Sequence, residues 1–462
     1  MRRYRERVGL LGLGTVGTGV VQILQQPRHP LLQSVEIAAV GVRSLDKPRQ
    51  VRIPPERLTT NLEQIVSDPE IDVVIELMGG LEPARTLILK ALDHGKPVIT
   101  ANKAVIARHG EEIFQAAAQA KVSVLLEAAV GGGIPILQPL QQSLQASHIQ
   151  AVWGIVNGTT NFILSQMTQA ASSFEEALAL AQAHGYAEAD PSADVEGWDA
   201  ADKIAILASL AFGVSVKREA IPCEGIRGIS PTDIRYAREW GYTFKLLAIA
   251  QLRQHCGAAR AHPVRASGAE PLDDGEGAVA TALRSNTMAL DIRVHPTLLP
   301  STHPLANING VDNAVLVQGD PLGQVVLSGP GAGRGPTASA VVGDLLTLIA
   351  HRQTGAHTPN PLWGFPCFPA AASLIPLSEL ESEFYVRVLA QDQPGVMGAI
   401  GTCFGRHRVS LESITQKECH QEQAEIVILT HTVREADCRQ ALAEIQQLPQ
   451  VAGIPSLFRV LR

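Results

Sequence analysis

Aromatic residues make up only 4% of this 462-residue chain, and its six cysteines, Cys223, Cys256, Cys367, Cys403, Cys419 and Cys438, stand far apart with no C-x-x-C pair. Such scattered thiols fit neither a zinc site nor a disulfide scaffold and point to reduced cysteines in cytosol. Long hydrophobic runs are missing too. No segment approaches the ~20 apolar residues that span a bilayer, so no membrane partner is expected. Nor is there an excess of basic charge: 38 Lys+Arg against 45 Asp+Glu leave a formal net charge of −7, which argues against nucleic acid, whose phosphates select basic surfaces. A small-molecule partner is expected instead. The start, Met1-Arg2-Arg3-Tyr4-Arg5-Glu6-Arg7 ahead of an apolar run from Val8, imitates a signal peptide. Glycines break that run at motif spacing and no convincing small-residue cleavage site follows, so a cytoplasmic location is expected.

What the chain does have is apolar content, 45% hydrophobic against 18% charged residues, enough to bury cores in two or three domains. Residues 1–135 alternate β-branched runs (Val8–Leu11, Val35–Val42, Ile71–Glu76, Pro97–Thr100, Val122–Glu127) with helical spacing over Thr15–Gln25, Pro83–His94 and Glu111–Ala120. That is the βαβ pattern of a doubly wound parallel sheet. Residues 136–353 read as an α+β substrate and dimerisation domain, with helices near Phe174–His184 and Trp198–Phe212 and a helix over Thr337–His351 that returns toward the first domain. Residues 354–380, rich in Pro, Gly and Ala, read as a linker. Residues 381–462 repeat a self-contained βαββαβ order, Phe384–Ala390, Pro394–His407, Val409–Lys417, Ala424–Thr432, Glu435–Gln447 and Gly453–Val460, which is ferredoxin-like. The expected class is α/β: a Rossmann domain, an α+β domain and a ferredoxin-like tail.

The first strand runs into Gly12-x-Gly14-Thr15-Val16-Gly17 at the start of a helix. Glycines at that spacing allow a tight turn, close approach of a pyrophosphate, and close helix packing, so a dinucleotide is expected there. The second strand ends not in an acid but in Val42-Arg43, with Lys47 close behind. A guanidinium stacks on adenine and pairs with a 2′-phosphate, so NADP(H) is favoured over NAD(H). An Arg merely solvated at a strand end is the alternative.

Three further stretches carry chemistry. Thr100-Ala101-Asn102-Lys103 closes the fourth strand, where ligands of open α/β sheets bind. In Glu127-Ala128-Ala129-Val130-Gly131-Gly132-Gly133-Ile134-Pro135 a carboxylate precedes three glycines that free carbonyls, which suits a hard cation or a simple interdomain hinge. Acids crowd the third, from Gly185 to Lys203, including Glu188, Asp194 and Asp199. Asp199 and Lys203 share a helix face four residues apart, ordinarily an exposed pair of small worth. Here the following Ile204–Phe212 run is apolar on nearly every side, and charges entering a buried helix are costly unless paired or used. Lys203 could then exchange a proton with a substrate oxygen, while Glu188 and Asp194 grip an ammonium group.

With Asn157-Gly158-Thr159-Thr160-Asn161 and Gly329-Pro330-Gly331-Ala332-Gly333, these motifs run in one order along nearly the whole chain, and together they resemble homoserine dehydrogenase. The resemblance implies reduction of aspartate semialdehyde to homoserine, a step toward threonine, methionine and isoleucine. It implies Lys203 as general acid/base, Lys103 holding substrate beside the nicotinamide, and Asp199 and Glu188 binding substrate, with Asp194 in the same cluster. By the same resemblance Gly333 and Thr100 touch the cofactor, and a sodium ion sits on Glu127 with the carbonyls of Val130, Gly132 and Ile134. The tail resembles an ACT domain, carrying Asp392-Gln393-Pro394-Gly395-Val396-Met397 at its first strand-to-helix turn. That implies a threonine effector near Asp392, Pro394, Gly395 and Val396, and reinforced pairing. A homodimer through the substrate domain, or a homotetramer if the tails pair as well, is expected. With no kinase module ahead of the glycine loop, the resemblance is to a monofunctional enzyme. Two other readings stay open on residues alone: a Rossmann reductase of a related amino-acid aldehyde or imine, and a catalytically silent nucleotide and amino-acid sensor, which leaves Asp199 and Lys203 unexplained.

Overall fold

In a computed structural model of the chain, residues 5–254, 288–354, 373–420 and 423–461 are described. Cys256, Cys367 and most of the linker lie outside them. The first sheet has six parallel strands, β1 (Glu6–Leu11), β2 (Val35–Gly41), β3 (Leu58–Thr59), β4 (Val73–Glu76), β5 (Val98–Thr100) and β6 (Val124–Leu125), in the order β3-β2-β1-β4-β5-β6. Its strands are buried on both faces, Val8, Leu10, Val73, Ile75 and Ile99 on one and Leu11, Val74 and Val98 on the other, which is why the sequence shows apolar runs rather than alternation. Helices α1 (Thr15–Gln25), α2 (Leu62–Ser67), α3 (Ala84–Asp93) and α4 (Lys103–Ala120) supply the crossovers.

Two elements depart from expectation for local reasons. The fourth helix begins at Lys103 rather than Glu111, because Asn102 caps it through Oδ1, which accepts from the Val105 N–H at 3.3 Å. Gly110 consequently lies buried inside the helix instead of starting it. The strand expected over Val122–Glu127 shortens to Val124–Leu125, and Glu127 turns out of it into a single 3₁₀ turn, Glu127–Ala129.

The middle of the chain adds α5 (Leu137–Gln141), β7 (His148–Ile155), α6 (Gly158–Ala170), α7 (Phe174–Ala183), α8 (Ser192–Val195), α9 (Trp198–Phe212), α10 (Pro231–Glu239) and strands β8 (Tyr242–Gln254), β9 (Met288–Pro300), β10 (Asp312–Asp320) and β11 (Gly323–Pro330). Helix α11 (Arg334–Gln353) then returns to the first sheet. It lies so close to α1 that a Cβ on Gly19 would stand 2.7 Å from the Arg334 carbonyl oxygen, and its far end is tied to β1 by the Arg352–Glu6 ion pair.

The tail has β12 (Glu381–Gln391), α12 (Val396–Arg406), β13 (Leu411–His420), β14 (Gln423–Thr430), β15 (Val433–Arg434), α13 (Glu435–Ile445) and β16 (Val451–Val460). Its sheet is not self-contained. β16 pairs in parallel with β9 (Arg459↔Thr297, Val460↔Leu298), so one path of strands runs β11-β10-β7-β8-β9-β16-β12-β14-β13 through both parts. The edge of β9 beyond β8 needs backbone partners: β16 supplies them at Thr297 and Leu298, while residues 222–224 and 373–375 supply them at Val294 and Leu290. A second seam is polar: Asp233 of α10, fully buried, accepts from Arg387 Nε at 2.8 Å, Tyr385 Oη at 3.1 Å and Ser456 Oγ at 2.9 Å.

Candidate active site

The glycine loop divides its labour. Gly12 has φ 106°, and a Cβ there would meet the Leu77 carbonyl oxygen at 2.8 Å; a Cβ on Gly17 would meet the Gly12 oxygen at 2.3 Å. Both positions therefore exclude any side chain. Gly14, the N-cap of α1, has open space before it, and Thr15 beside it is exposed. Val16 packs against the apolar cluster beneath α1. Open backbone at a helix N-terminus is where a pyrophosphate can approach N–H groups and the helix dipole. Arg43 is exposed just past the end of β2, in a turn shaped by Arg49, whose guanidinium donates to the Ser44 and Leu45 carbonyls. Thr100 is fully buried at the end of β5; its hydroxyl donates to Glu76 Oε2 at 2.6 Å and accepts from the Asn102 N–H at 3.0 Å.

Lys103, at the start of α4, reaches across to α9 and meets Asp199 Oδ1 at 3.2 Å. Lys203, one turn further along α9, donates to Asp199 Oδ2 at 2.7 Å and to the Val156 carbonyl at 2.6 Å. Burial alone would raise the Asp199 carboxyl, but the Lys203 and Lys103 charges hold it well below the usual carboxylate range. The Asp199 charge in turn raises Lys103 above its ordinary value. An ammonium has three N–H donors; Lys203 has two committed to protein, so one remains for a ligand oxygen.

A side chain given no individual role by sequence reasoning completes the cluster. Asn157 donates from Nδ2 to both Asp194 Oδ1 at 2.7 Å and Asp199 Oδ2 at 2.9 Å, while its Oδ1 caps α6 by accepting from the Thr160 N–H at 2.8 Å. An Asn between a strand and a helix beginning Gly-Thr-Thr is a cap signal, and the signal was present in the sequence. Burial raises the Asp194 carboxyl. Glu188 is exposed, with its carbonyl accepting from Gln182, so its side chain stands apart from this network. Asp202, between Asp199 and Lys203, was also missed: it holds Arg108 of α4 at 3.1 Å and Arg218 at 3.0 Å. That clamp fixes the helix bearing Lys103 against the one bearing Asp199 and Lys203.

The three-glycine turn lies against the later glycine turn. A Cβ on Gly132 would be 2.4 Å from the Gly331 oxygen, and the Gly133 N–H donates to Pro330 at 3.1 Å, which puts Gly333, at φ 116° and heading α11, beside the same seam. Val130 and Ile134 are buried there. The Glu127 carboxylate accepts three backbone N–H bonds, from Ile136, Leu137 and Gln138 at 2.6–2.9 Å. Among the described residues no three His, Cys, Asp or Glu side chains cluster as a metal site. A cation here would depend on main-chain oxygens, with Glu127 supplying charge at close range.

Asp344 of α11 is the other acid in this seam, accepting from the Glu127 N–H at 2.9 Å and Gln138 Nε2 at 3.0 Å. Burial and the Glu127 charge push its carboxyl up to about 8. The folded form therefore keeps a proton that the unfolded chain releases at ordinary carboxylate pH, so the stability contributed by this group is full in acid and is lost as pH rises toward about 8. In Asp344→Asn the fall of the melting midpoint between pH 5 and pH 9 should flatten relative to the parent. An unchanged slope would assign the pH dependence elsewhere.

Three family profiles match in chain order: "Homoserine dehydrogenase, NAD binding domain" over residues 12–127, "Homoserine dehydrogenase" over 135–346 and "ACT domain" over 384–450. The homoserine dehydrogenase of Synechocystis sp. is 55% identical over 459 residues, which is 98% of this chain and 99% of that protein. The chain belongs to the homoserine dehydrogenase family. The structure of a homoserine dehydrogenase from Thiobacillus denitrificans superimposes with a TM-score of 0.85 at 39% identity, over 99% of this chain and 98% of that one. A hyperthermophilic archaeal homoserine dehydrogenase in complex with NADPH shares the fold at a TM-score of 0.57 and 23% identity, over 77% of this chain and 100% of that one. As a homoserine dehydrogenase this chain is an NAD(P)-dependent oxidoreductase that interconverts aspartate semialdehyde and homoserine, with a nucleotide-binding domain at one end and an ACT domain at the other. Among its described residues no helix is long and apolar enough to cross a membrane.

Proposed function

We propose that Lys203 is the general acid/base of this reaction, with Lys103 and Asp199 as its catalytic partners, and that Asp194, Asp199 and Glu188 hold the amino-acid substrate. The observation that carries this reading is the Lys103–Asp199–Lys203 bridge, its Asp199 and Lys203 side chains largely buried and Lys103 partly exposed, which joins the end of the parallel sheet to the acidic stretch. When bound, the nicotinamide supplies the hydride to the aldehyde carbon. Lys203 gives a proton to the aldehyde oxygen from its one uncommitted N–H, and takes it back from the homoserine hydroxyl in reverse. Asp199 holds both lysines charged and in place, so the charge developing on oxygen meets preorganised cations. Asp194, which accepts from Asn157 and has the Thr159 hydroxyl beside it, would meet the substrate ammonium. Glu188 stands on the exposed rim and would reach the substrate from outside this network.

Gly12, Gly14, Thr15, Val16 and Gly17 would hold the pyrophosphate, and Thr100, Lys103 and Gly333 the nicotinamide end. Arg43 would select NADP(H) over NAD(H), as an exposed guanidinium at a strand end with no acid in its place. Arg43→Ala should raise the KM for NADPH about tenfold or more, in line with the loss of a charge-assisted contact, and leave that for NADH nearly unchanged. Equal losses for both cofactors would remove Arg43 from the 2′-phosphate site. A monovalent cation, sodium, would sit on the carbonyls of Val130, Gly132 and Ile134 beside Glu127, where it would offset two buried acids. Comparing activity in sodium and in a bulky organic cation at one ionic strength tests it.

In the tail, Asp392, Pro394 and Gly395 are exposed at the turn into α12, Val396 is buried, and Gly395 takes φ 92°. We assign threonine to this turn as effector, by the ACT likeness. The domain bounds of 1–135, 136–353, 354–380 and 381–462, a cytoplasmic setting, and a homodimer or homotetramer belong to the same proposal. Following NADPH oxidation with aspartate semialdehyde, with and without threonine, tests substrate and effector together. No turnover would sink the first, and turnover indifferent to threonine the second.

A further inference from the structure

The C-terminal unit meets the rest of the chain at an ion-pair cluster that no step of the reaction uses. Arg459 of β16, 4% exposed, places Nη1 2.8 Å and Nη2 2.9 Å from the two oxygens of Glu224, a bidentate pair. Its Nε and Nη2 also hold Glu435, the first residue of α13, at 2.9 and 2.6 Å. Arg439, one turn along α13, reaches Glu224 at 3.3 Å. Burial by itself would raise the Glu224 carboxyl, but the Arg459 and Arg439 charges hold it below its ordinary value.

Glu224 belongs not to the tail but to a short segment under the acidic stretch. Its N–H donates to the Val294 carbonyl of β9 at 2.8 Å. The next residue, Gly225, is pressed so closely against the acidic stretch that a Cβ would lie 2.4 Å from the Val195 carbonyl oxygen, which also accepts from the Ile226 N–H at 2.9 Å. Val195 follows Asp194 directly, and the Gly197 N–H donates back to the Asp194 carbonyl at 3.0 Å. Gly197, at φ 81°, is the N-cap of α9, two residues before Asp199. From Arg459 to the backbone of Asp194 there is thus an unbroken run of ion pair, covalent segment and hydrogen bond, all of it close-packed.

We propose that Glu224 is a positioning residue: held by Arg459 of the ACT domain, it sets the backbone that presents Asp194 and Asp199 to the substrate. This rests on the reading of those two acids as the substrate cluster. A two-point guanidinium–carboxylate contact fixes both distance and angle, so a shift of β16 or α13 is transmitted to the 224–226 segment and through Val195 to the cluster. The tail is therefore mechanically upstream of substrate binding, and not of the cofactor loop at Gly12–Gly17, which lies on the other sheet.

The test is Glu224→Gln in the full-length chain. Neutralising Glu224 loses the charge-assisted pair, while Glu435 still partners Arg459. The KM for aspartate semialdehyde should rise about threefold to tenfold, as mutations along coupled networks do, with the KM for NADPH unchanged, and Glu224→Asp should recover part of the loss. A KM for aspartate semialdehyde equal to the parent's, whatever the melting midpoint does, overturns the proposal, as does an equal rise in both KM values. If Glu224→Gln fails to fold, Arg459→Lys, which keeps the charge and loses the two-point contact, is read against the same outcomes. Asp194→Asn run beside it separates the two levels of the argument. If it leaves the substrate KM unchanged, the substrate-cluster reading fails and the proposal falls with it; if it raises that KM and Glu224→Gln does not, only the link to the tail fails.

Discussion

Lys203→Met should lower kcat about a thousandfold, in the middle of the range for loss of a general acid/base, in both directions of the reaction and with NADPH affinity nearly unchanged. Two features of the site set that size. The ammonium is aimed by two acceptors, the Val156 carbonyl and Asp199, so its remaining N–H has one direction rather than many. And the lysine is buried, 9% exposed, so water is poorly placed to substitute for it. Methionine matches the stem of the lysine, and Lys103 still pairs with Asp199, so the fold should survive. Stopped-flow NADPH oxidation separates chemistry from binding. Partial rescue by a small primary amine would identify the missing proton donor, whereas full turnover without it would remove Lys203 from the proton-transfer role.

The largest effect on stability is expected at Asp233, far from that chemistry. Asp233→Ala strips a fully buried carboxylate from Arg387, Tyr385, Ser456 and the Ser230 cap of α10. Breaking one side of a buried ion pair typically costs about 3–5 kcal/mol, because the abandoned charge stays buried. Arg387 keeps Glu425 at 3.2 Å as a partial partner, which places the loss toward the lower end. Chemical denaturation followed by far-UV circular dichroism should show the midpoint move down, with Asp233→Asn intermediate because the amide still accepts at the cap. Midpoints are the quantity to compare, since a chain with several domains need not unfold in one step. An unmoved midpoint would mean that Glu425 carries Arg387 by itself. Turnover per folded molecule should change little, which separates this seam from the Glu224 link.

Part of the candidate site's geometry is legible in the sequence. The Gly12–Gly17 loop, the Thr100–Lys103 strand end and the Asp199–Lys203 pair are local patterns, each set by spacing within one turn or one helix face, and the structure brings Lys103, Asp199 and Lys203 together. Less legible were contacts between residues distant in sequence. Asn157 was visible as part of a motif, but its double donation to Asp194 and Asp199 depends on where α6 begins relative to α9. Asp202 looked like one more acid on a charged helix start, and only the approach of Arg108 and Arg218 makes it a clamp. The carboxylate of Glu127 reads as a cation ligand in sequence, yet three backbone N–H groups occupy it once α5 folds against it. Glu188, grouped with the other acids by proximity along the chain, stands at the surface.

The sequence by itself determined the succession of a doubly wound sheet with a glycine loop, an α+β section and a ferredoxin-like tail, and it determined which lysine and which aspartate face each other four residues apart. Those are short-range consequences of periodicity, caps and glycine, and they need no knowledge of distant partners. Tertiary structure alone decided that Lys103 closes the bridge to Asp199 from the other domain, and that β16 joins β9 so that the tail is built into the same sheet. An edge strand and a buried charge each need a partner, but nothing local in the sequence says which distant segment supplies it.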